Sequence, residues 1–94
     1  MAALVAVLID PKDNVAVVLD SVKEGQEVFC RNGAIQLSIK AKSDVPRYHK
    51  ISVCKIGKGD AIVKYGEHIG VAAEEIEAGV HVHLQNVQSR REAL

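Results

Sequence analysis

HKISVCKIGKGDAIVKYGEHIGVAAEEIEAGVHVHLQN, residues 49–86, holds most of the histidine and glycine of this 94-residue chain and its one dense polar constellation. Two clusters stand out in it. Lys64-Tyr65-Gly66-Glu67-His68-Ile69-Gly70 comes first and His81-Val82-His83-Leu84-Gln85-Asn86 second, with the acidic stretch around Glu74, Glu75 and Glu77 between them. Apolar residues recur here at short, strand-like intervals, and nowhere in the chain does a period of 3.6 persist for three turns. Val71 to Ala78 can make at most one or two helical turns, so the chain reads as mainly β.

The flanking sequence agrees. Residues 3–9 and 15–19 are short aliphatic runs divided by Asp10-Pro11-Lys12-Asp13-Asn14, a concentration of turn formers. Arg31-Asn32-Gly33 lies between Cys30 and Ala34, and Asn-Gly predicts a tight hairpin with both central residues at positive φ. Ile35, Leu37 and Ile39 alternate with Gln36, Ser38 and Lys40, which predicts a half-buried strand. Residues 41–50 read as a connecting loop leading to an apolar strand at 51–54. A loose pattern recurs in Val22-Lys-Glu-Gly25-Gln-Glu-Val28, Ile56-Gly-Lys-Gly59-Asp-Ala-Ile62 and Ile76-Glu-Ala-Gly79-Val-His-Val82. Physically it is a turn whose glycine takes a conformation costly for other residues, followed by a strand re-entering the core. Residues 86–94 are expected to form a flexible or partner-docking tail, and 1–94 to make one domain.

A chain of this length more often supplies one wall of a ligand site than all of it. Twelve basic and twelve acidic side chains cancel without long runs of either sign. With no tryptophan, one phenylalanine and two tyrosines, neither nucleic acid nor an anionic membrane is an expected partner. The opening MAALVAVLIDP is apolar for too few residues to span a bilayer and lacks a basic leader, so a cytoplasmic location is expected. Cys30 and Cys54 read as small buried apolar residues rather than a disulfide.

Two constellations can carry chemistry. If Val80 to Gln85 is a strand, Val80, Val82 and Leu84 face the core while His81, His83 and Gln85 share the other face. Imidazoles roughly 6.5–7 Å apart on one strand face can converge on one ion, or can simply be solvated. Two ligands do not complete a site, so a partner would supply the rest. Lys64, Tyr65 and His68 straddle Gly66. If bends bring them into one cleft they form a proton-transfer site or an anion clamp, and otherwise an ordinary hairpin. His49 belongs either to the same cleft or to solvent. No nucleophile elbow or phosphate-cradling loop is present in the sequence.

The ordered set Asp13-Asn14-Val15-Ala16-Val17, Pro46-Arg47-Tyr48-His49-Lys50-Ile51, Ile56-Gly57-Lys58-Gly59, Ile62-Val63-Lys64-Tyr65-Gly66, Ile69-Gly70-Val71-Ala72, Ile76-Glu77-Ala78-Gly79 and His81-Val82-His83-Leu84-Gln85-Asn86 resembles the small SAF domain of the altronate and galactarate dehydratases. The resemblance covers nearly the whole chain and includes the free-standing small subunits of sulfolactate sulfo-lyases. It implies a β-clip fold and a small subunit, inactive alone, of a lyase that eliminates water or sulfite from a hydroxylated acid. It also implies a large catalytic partner chain and a divalent metal shared with it, Fe2+ ahead of Mn2+ or Mg2+. Carried onto this sequence, it makes His81 and His83 metal residues and Lys50, Lys64 and Asn86 substrate-binding residues. Lys64 and Tyr65, with His68 from the bend, form the catalytic set. The competing reading is a carbohydrate-binding or protein-interaction module without catalysis, since related SAF folds resemble the antifreeze-like domains of sialic acid synthases and periplasmic assembly chaperones.

Overall fold

The computed structural model describes residues 4–33 and 35–88. Its framework is a turn that recurs four times. In the first, Gly25 donates its N–H to the carbonyl of Ala41 (2.8 Å), and Ala41 donates back to the carbonyl of Gln26 (2.8 Å). Gly59 and Asp60 hold Ala72 in the same way, and Gly79 and Val80 hold Ser52. These are the three glycine motifs read in the sequence. The fourth, Val45 to Ile51, has Tyr48 in the glycine's place, bonded to Val18 (2.9 Å), with Val18 donating back to His49 (3.0 Å). The turn requires positive φ at that position: 93°, 86° and 88° at the glycines and 67° at Tyr48. A side chain there costs about 1–2 kcal/mol relative to right-handed backbone.

The apolar residues that open the four turns pair with one another. Val22 and Val45 exchange two main-chain hydrogen bonds of 2.8 Å, as do Ile56 and Ile76. Each pair is buried in its own core. Val22 and Val45 pack with Ala6, Val18, Val28 and Ile51, while Ile56 and Ile76 pack with Val15, Ile62, Ala72 and Val82.

Around these cores run β1 (Leu4–Val7), β2 (Val15–Val18), β3 (Glu27–Asn32), β4 (Ile35–Lys40), β5 (Lys50–Ser52), β6 (Ala61–Lys64), β7 (Glu67–Ala72), β8 (His81–Val82) and β9 (Val87–Gln88). They form a six-stranded sheet, β4-β3-β1-β2-β5-β8, and a three-stranded one, β6-β7-β9. Only β1 and β3 pair in parallel; every other neighbouring pair is antiparallel. The described residues contain no helix, in keeping with a mainly β, β-clip architecture. Asn14 joins the sheets. Its amide donates to Ala61 (2.9 Å) and accepts from Val63 (2.8 Å), standing in for a peptide unit beside β6.

Several expectations shift on contact with this geometry. The Asn-Gly hairpin exists, but Asn32 is not one of its connecting residues, because it pairs with Ile35 inside the ladder. The Asn32 amide instead donates to the carbonyls of Leu8 and Ile9, which holds it in the strand. Leu37 and Ile39 are half-buried and Gln36, Ser38 and Lys40 exposed, as the alternation predicts. The expected tail is shorter at its start: Asn86 is buried, and Val87 and Gln88 pair with Ala72 and Val71. Gly70 permits that pairing, since a side chain there would meet the Gln88 carbonyl. The rest of the expected tail, 89–94, lies outside the described residues. Cys30 is fully buried, whereas Cys54 is exposed, contrary to its reading as a core residue.

Burial pushes the Cys30 thiol up to about 11. The fold thus favours the protonated thiol, a contribution present below the unfolded thiol's pKa and lost as pH rises towards 11. In urea unfolding, the stability of wild type relative to Cys30→Val should fall by roughly 2–3 kcal/mol between pH 8.5 and 11. Parallel pH profiles for the two proteins would contradict this.

Candidate functional site

The Tyr48 and Gly79 turns meet at one place. Tyr48 leads into β5 and Gly79 into β8, and these strands pair antiparallel with Lys50 opposite Val82 and Ile51 opposite His81. The arrangement brings His49 to His81 and His83 across more than thirty residues of sequence. Ring centroids are 5.1 Å apart for His49–His81, 4.5 Å for His49–His83 and 5.5 Å for His81–His83, the last pair stacked within 11°. His49 Nδ1 and His81 Nε2 share a hydrogen bond of 2.9 Å.

Three ligand nitrogens, one from each ring, lie within 4.8 Å of one another. Nitrogens bound at ~2.05 Å to one tetrahedral ion are about 3.3 Å apart, so the rings need close by only roughly 1.5 Å. The donor set therefore fits a first-row divalent cation, and all three rings are half-buried rather than free in solvent. Burial, then the neighbouring charges of His49, His83 and Lys50, hold His81 below the ordinary histidine pKa. That favours the neutral ring, whose lone pair is available to a ligand.

Asn86 builds the second half of the cluster. After Val82 the strand stops and the chain turns: Asn86 N–H donates to the His83 carbonyl (3.0 Å). The Asn86 amide donates to the His81 carbonyl (2.9 Å) and accepts from His83 N–H (3.0 Å). Both ends of the amide are engaged inside the protein and Asn86 is buried, so its side chain shapes the turn. Because the strand ends at Val82, Leu84 rides on the turn and is 84% exposed instead of facing the core. Ser43 fixes the other side by accepting the His81 N–H (2.9 Å).

Lys50 flanks the cluster and lines a depression of about 180 Å³ with Ile69, His83, Leu84 and Val87. Burial, and then the charge of Lys64, lower its pKa, so the two lysines are close enough to feel each other. A second depression, of about 360 Å³, lies beyond His81 but is walled by Asp44, Glu74, Glu75 and Glu77. An anionic ligand would be repelled there, which makes the smaller, lysine-bearing hollow the one suited to an acid.

The bend at Gly66 is a two-residue hairpin, Tyr65 at φ 58° and Gly66 at φ 72°, whose N–H groups donate to the buried Asp13 carboxylate (3.0 and 2.8 Å). It does not gather Lys64, Tyr65 and His68 into one cleft. The pairings Lys64 with Glu67 and Val63 with His68 put Lys64 and His68 on opposite faces of the ribbon. Tyr65 and His68 are exposed, and of the three only Lys64, through Lys50, is tied to the imidazoles. His49 is the member that the sequence left undecided. The signal for it was the fourth turn, disguised by tyrosine in the glycine's place.

A family model described as altronate/galactarate dehydratase SAF domain matches residues 4–90. The chain is 44% identical over 77 residues to an altronate dehydratase of Escherichia coli, covering 82% of this chain but only 15% of that protein. It is 38% identical over 53 residues to a (2R)-sulfolactate sulfo-lyase subunit alpha of Paracoccus pantotrophus, covering 56% of this chain and 79% of the relative. The corresponding subunit of Chromohalobacter salexigens is 30% identical over 77 residues, covering 80% and 82%.

Replacing Asn86 with alanine should cost about 1–3 kcal/mol, because the His83 N–H and His81 carbonyl lose their partner. It should also abolish nuclear Overhauser contacts between the His81 and His83 rings. Retention of those contacts at wild-type stability would contradict the positioning role.

Proposed function

Because the chain belongs to the altronate/galactarate dehydratase SAF-domain family, we propose that it is the small, non-autonomous part of a metal-dependent lyase. The lyase eliminates water or sulfite from a hydroxylated carboxylic acid, with most of the active site supplied by a larger chain. The observation that carries the reading is the convergence of His49, His81 and His83 beside Lys50 at an open surface. A domain that held its own substrate would enclose it more deeply; this one offers a half-built wall. The relatives favour the same division, since the chain spans 15% of the altronate dehydratase and most of the length of the sulfo-lyase subunits.

In this reading His49, His81 and His83 would hold the ion. Nitrogen donors suit Fe2+ better than Mg2+, with Mn2+ between, and the bound ion supplies positive charge against the negative charge that develops on the substrate's carboxylate. Lys64 attracts the acid towards the hollow. Lys50, whose hold on its proton burial and Lys64 weaken, is the better placed of the two to accept the proton next to the carboxylate as the β-hydroxyl or sulfonate group leaves. His81 and His83 keep their orientation through Ser43 and Asn86, so the wall is rigid before substrate arrives.

The test is an assay of the chain, alone and in the assembly isolated through a tag on it, with altronate, galactarate and sulfolactate in the presence and absence of Fe2+. Turnover of one acid is expected only in the assembly. His49→Ala, His81→Ala and His83→Ala should each lower it at least about a hundredfold. Turnover unaffected by all three, or binding of a neutral sugar by the chain alone, would contradict the lyase reading and favour a plain binding module.

A further inference from the structure

Three of the four framework turns place glycine where left-handed backbone is required, and the fourth places Tyr48. The backbone gains nothing from that tyrosine. Unlike Tyr65, which sits in a two-residue hairpin turn where both central residues take positive φ, Tyr48 stands where the other three copies of its turn have glycine, so the reason lies in the side chain. Tyr48 is 63% exposed, the Arg47 guanidinium lies 4.8 Å from its ring centroid, and it immediately precedes His49. Tyr48 lines neither hollow beside the histidines, which argues against contact with a small substrate. Exposed tyrosine stacked with arginine is the composition of a protein-interface anchor.

We infer that Tyr48, backed by Arg47, is an anchor through which this chain docks onto the larger lyase chain that completes the three-histidine wall. This rests on the functional reading above. The occupant follows from what is beside the anchor: His49 belongs to a site open to the exterior, and the chain corresponds to only 15% of a dehydratase relative whose remainder is joined to it. Tyrosine in the turn thus exchanges stability of the free domain for a grip on its partner.

The experiment compares wild type with Y48G, Y48A and Y48F, as the isolated full chain and in the assembly purified through its tag. Glycine matches the other three turns, so Y48G should fold and melt about 3–6 °C higher than wild type. Y48A keeps the left-handed demand without the ring and should not share the gain. In the assembly, dissociation on dilution should rise at least about tenfold for both Y48G and Y48A and less than about threefold for Y48F. His81→Ala should abolish turnover without loosening the assembly. An assembly that retains Y48G as tightly as wild type overturns the anchor, and lyase turnover in that same assembly leaves the functional reading standing. Release of Y48G from an assembly without lyase turnover upholds the anchor and removes the lyase. A chain that remains monomeric at all concentrations overturns both.

Discussion

A reciprocal pair of main-chain hydrogen bonds, made at a left-handed turn residue and the one after it, is the constraint on which this structure depends. It recurs at Gly25, Tyr48, Gly59 and Gly79 with donor–acceptor distances of 2.8–3.0 Å. Each turn begins at an apolar residue that bridges another turn and ends on a strand entering a core. The strands are short, from two to six residues, and could not hold register by length alone. The turns hold it for them.

The site is a product of that geometry. The turn at Tyr48 feeds β5 and the turn at Gly79 feeds β8, and pairing of these strands brings His49 to His81 and His83. Around the rings, uncharged groups set position, with Ser43 and Asn86 holding the β8 end. Lys64 lies close enough to Lys50 to lower its pKa, and Asp44, Glu74, Glu75 and Glu77 wall the hollow beyond His81.

The mainly β fold was legible where a local pattern had a physical cause that stayed local. Alternation from Ile35 to Lys40 and the three glycine motifs both carried over into the structure. What escaped depended on contacts far apart in sequence. The fourth turn was hidden because tyrosine is a poor left-handed residue, although Val45 and Ile51 stand three before and three after it as the motif requires. With the turn hidden, His49 could not be assigned to the cluster. His81 and His83 were legible as a pair, but the strand reading that paired them also sent Leu84 inward. It missed that the Asn86 side chain would end the strand by capping His83. The Gly66 bend was legible as a bend; which faces Lys64 and His68 occupy depends on register with β7, which sequence spacing does not reveal.

The central claim is that three imidazoles from two paired strands form one ion-binding face within this chain. Isothermal titration of Co2+ into the metal-free full chain, compared with each single histidine-to-alanine variant, addresses it most directly. One ion per chain, with binding weakened by about tenfold or more in His49→Ala as well as in His81→Ala and His83→Ala, is the expected result. Binding to His49→Ala as tight as to wild type would contradict the account.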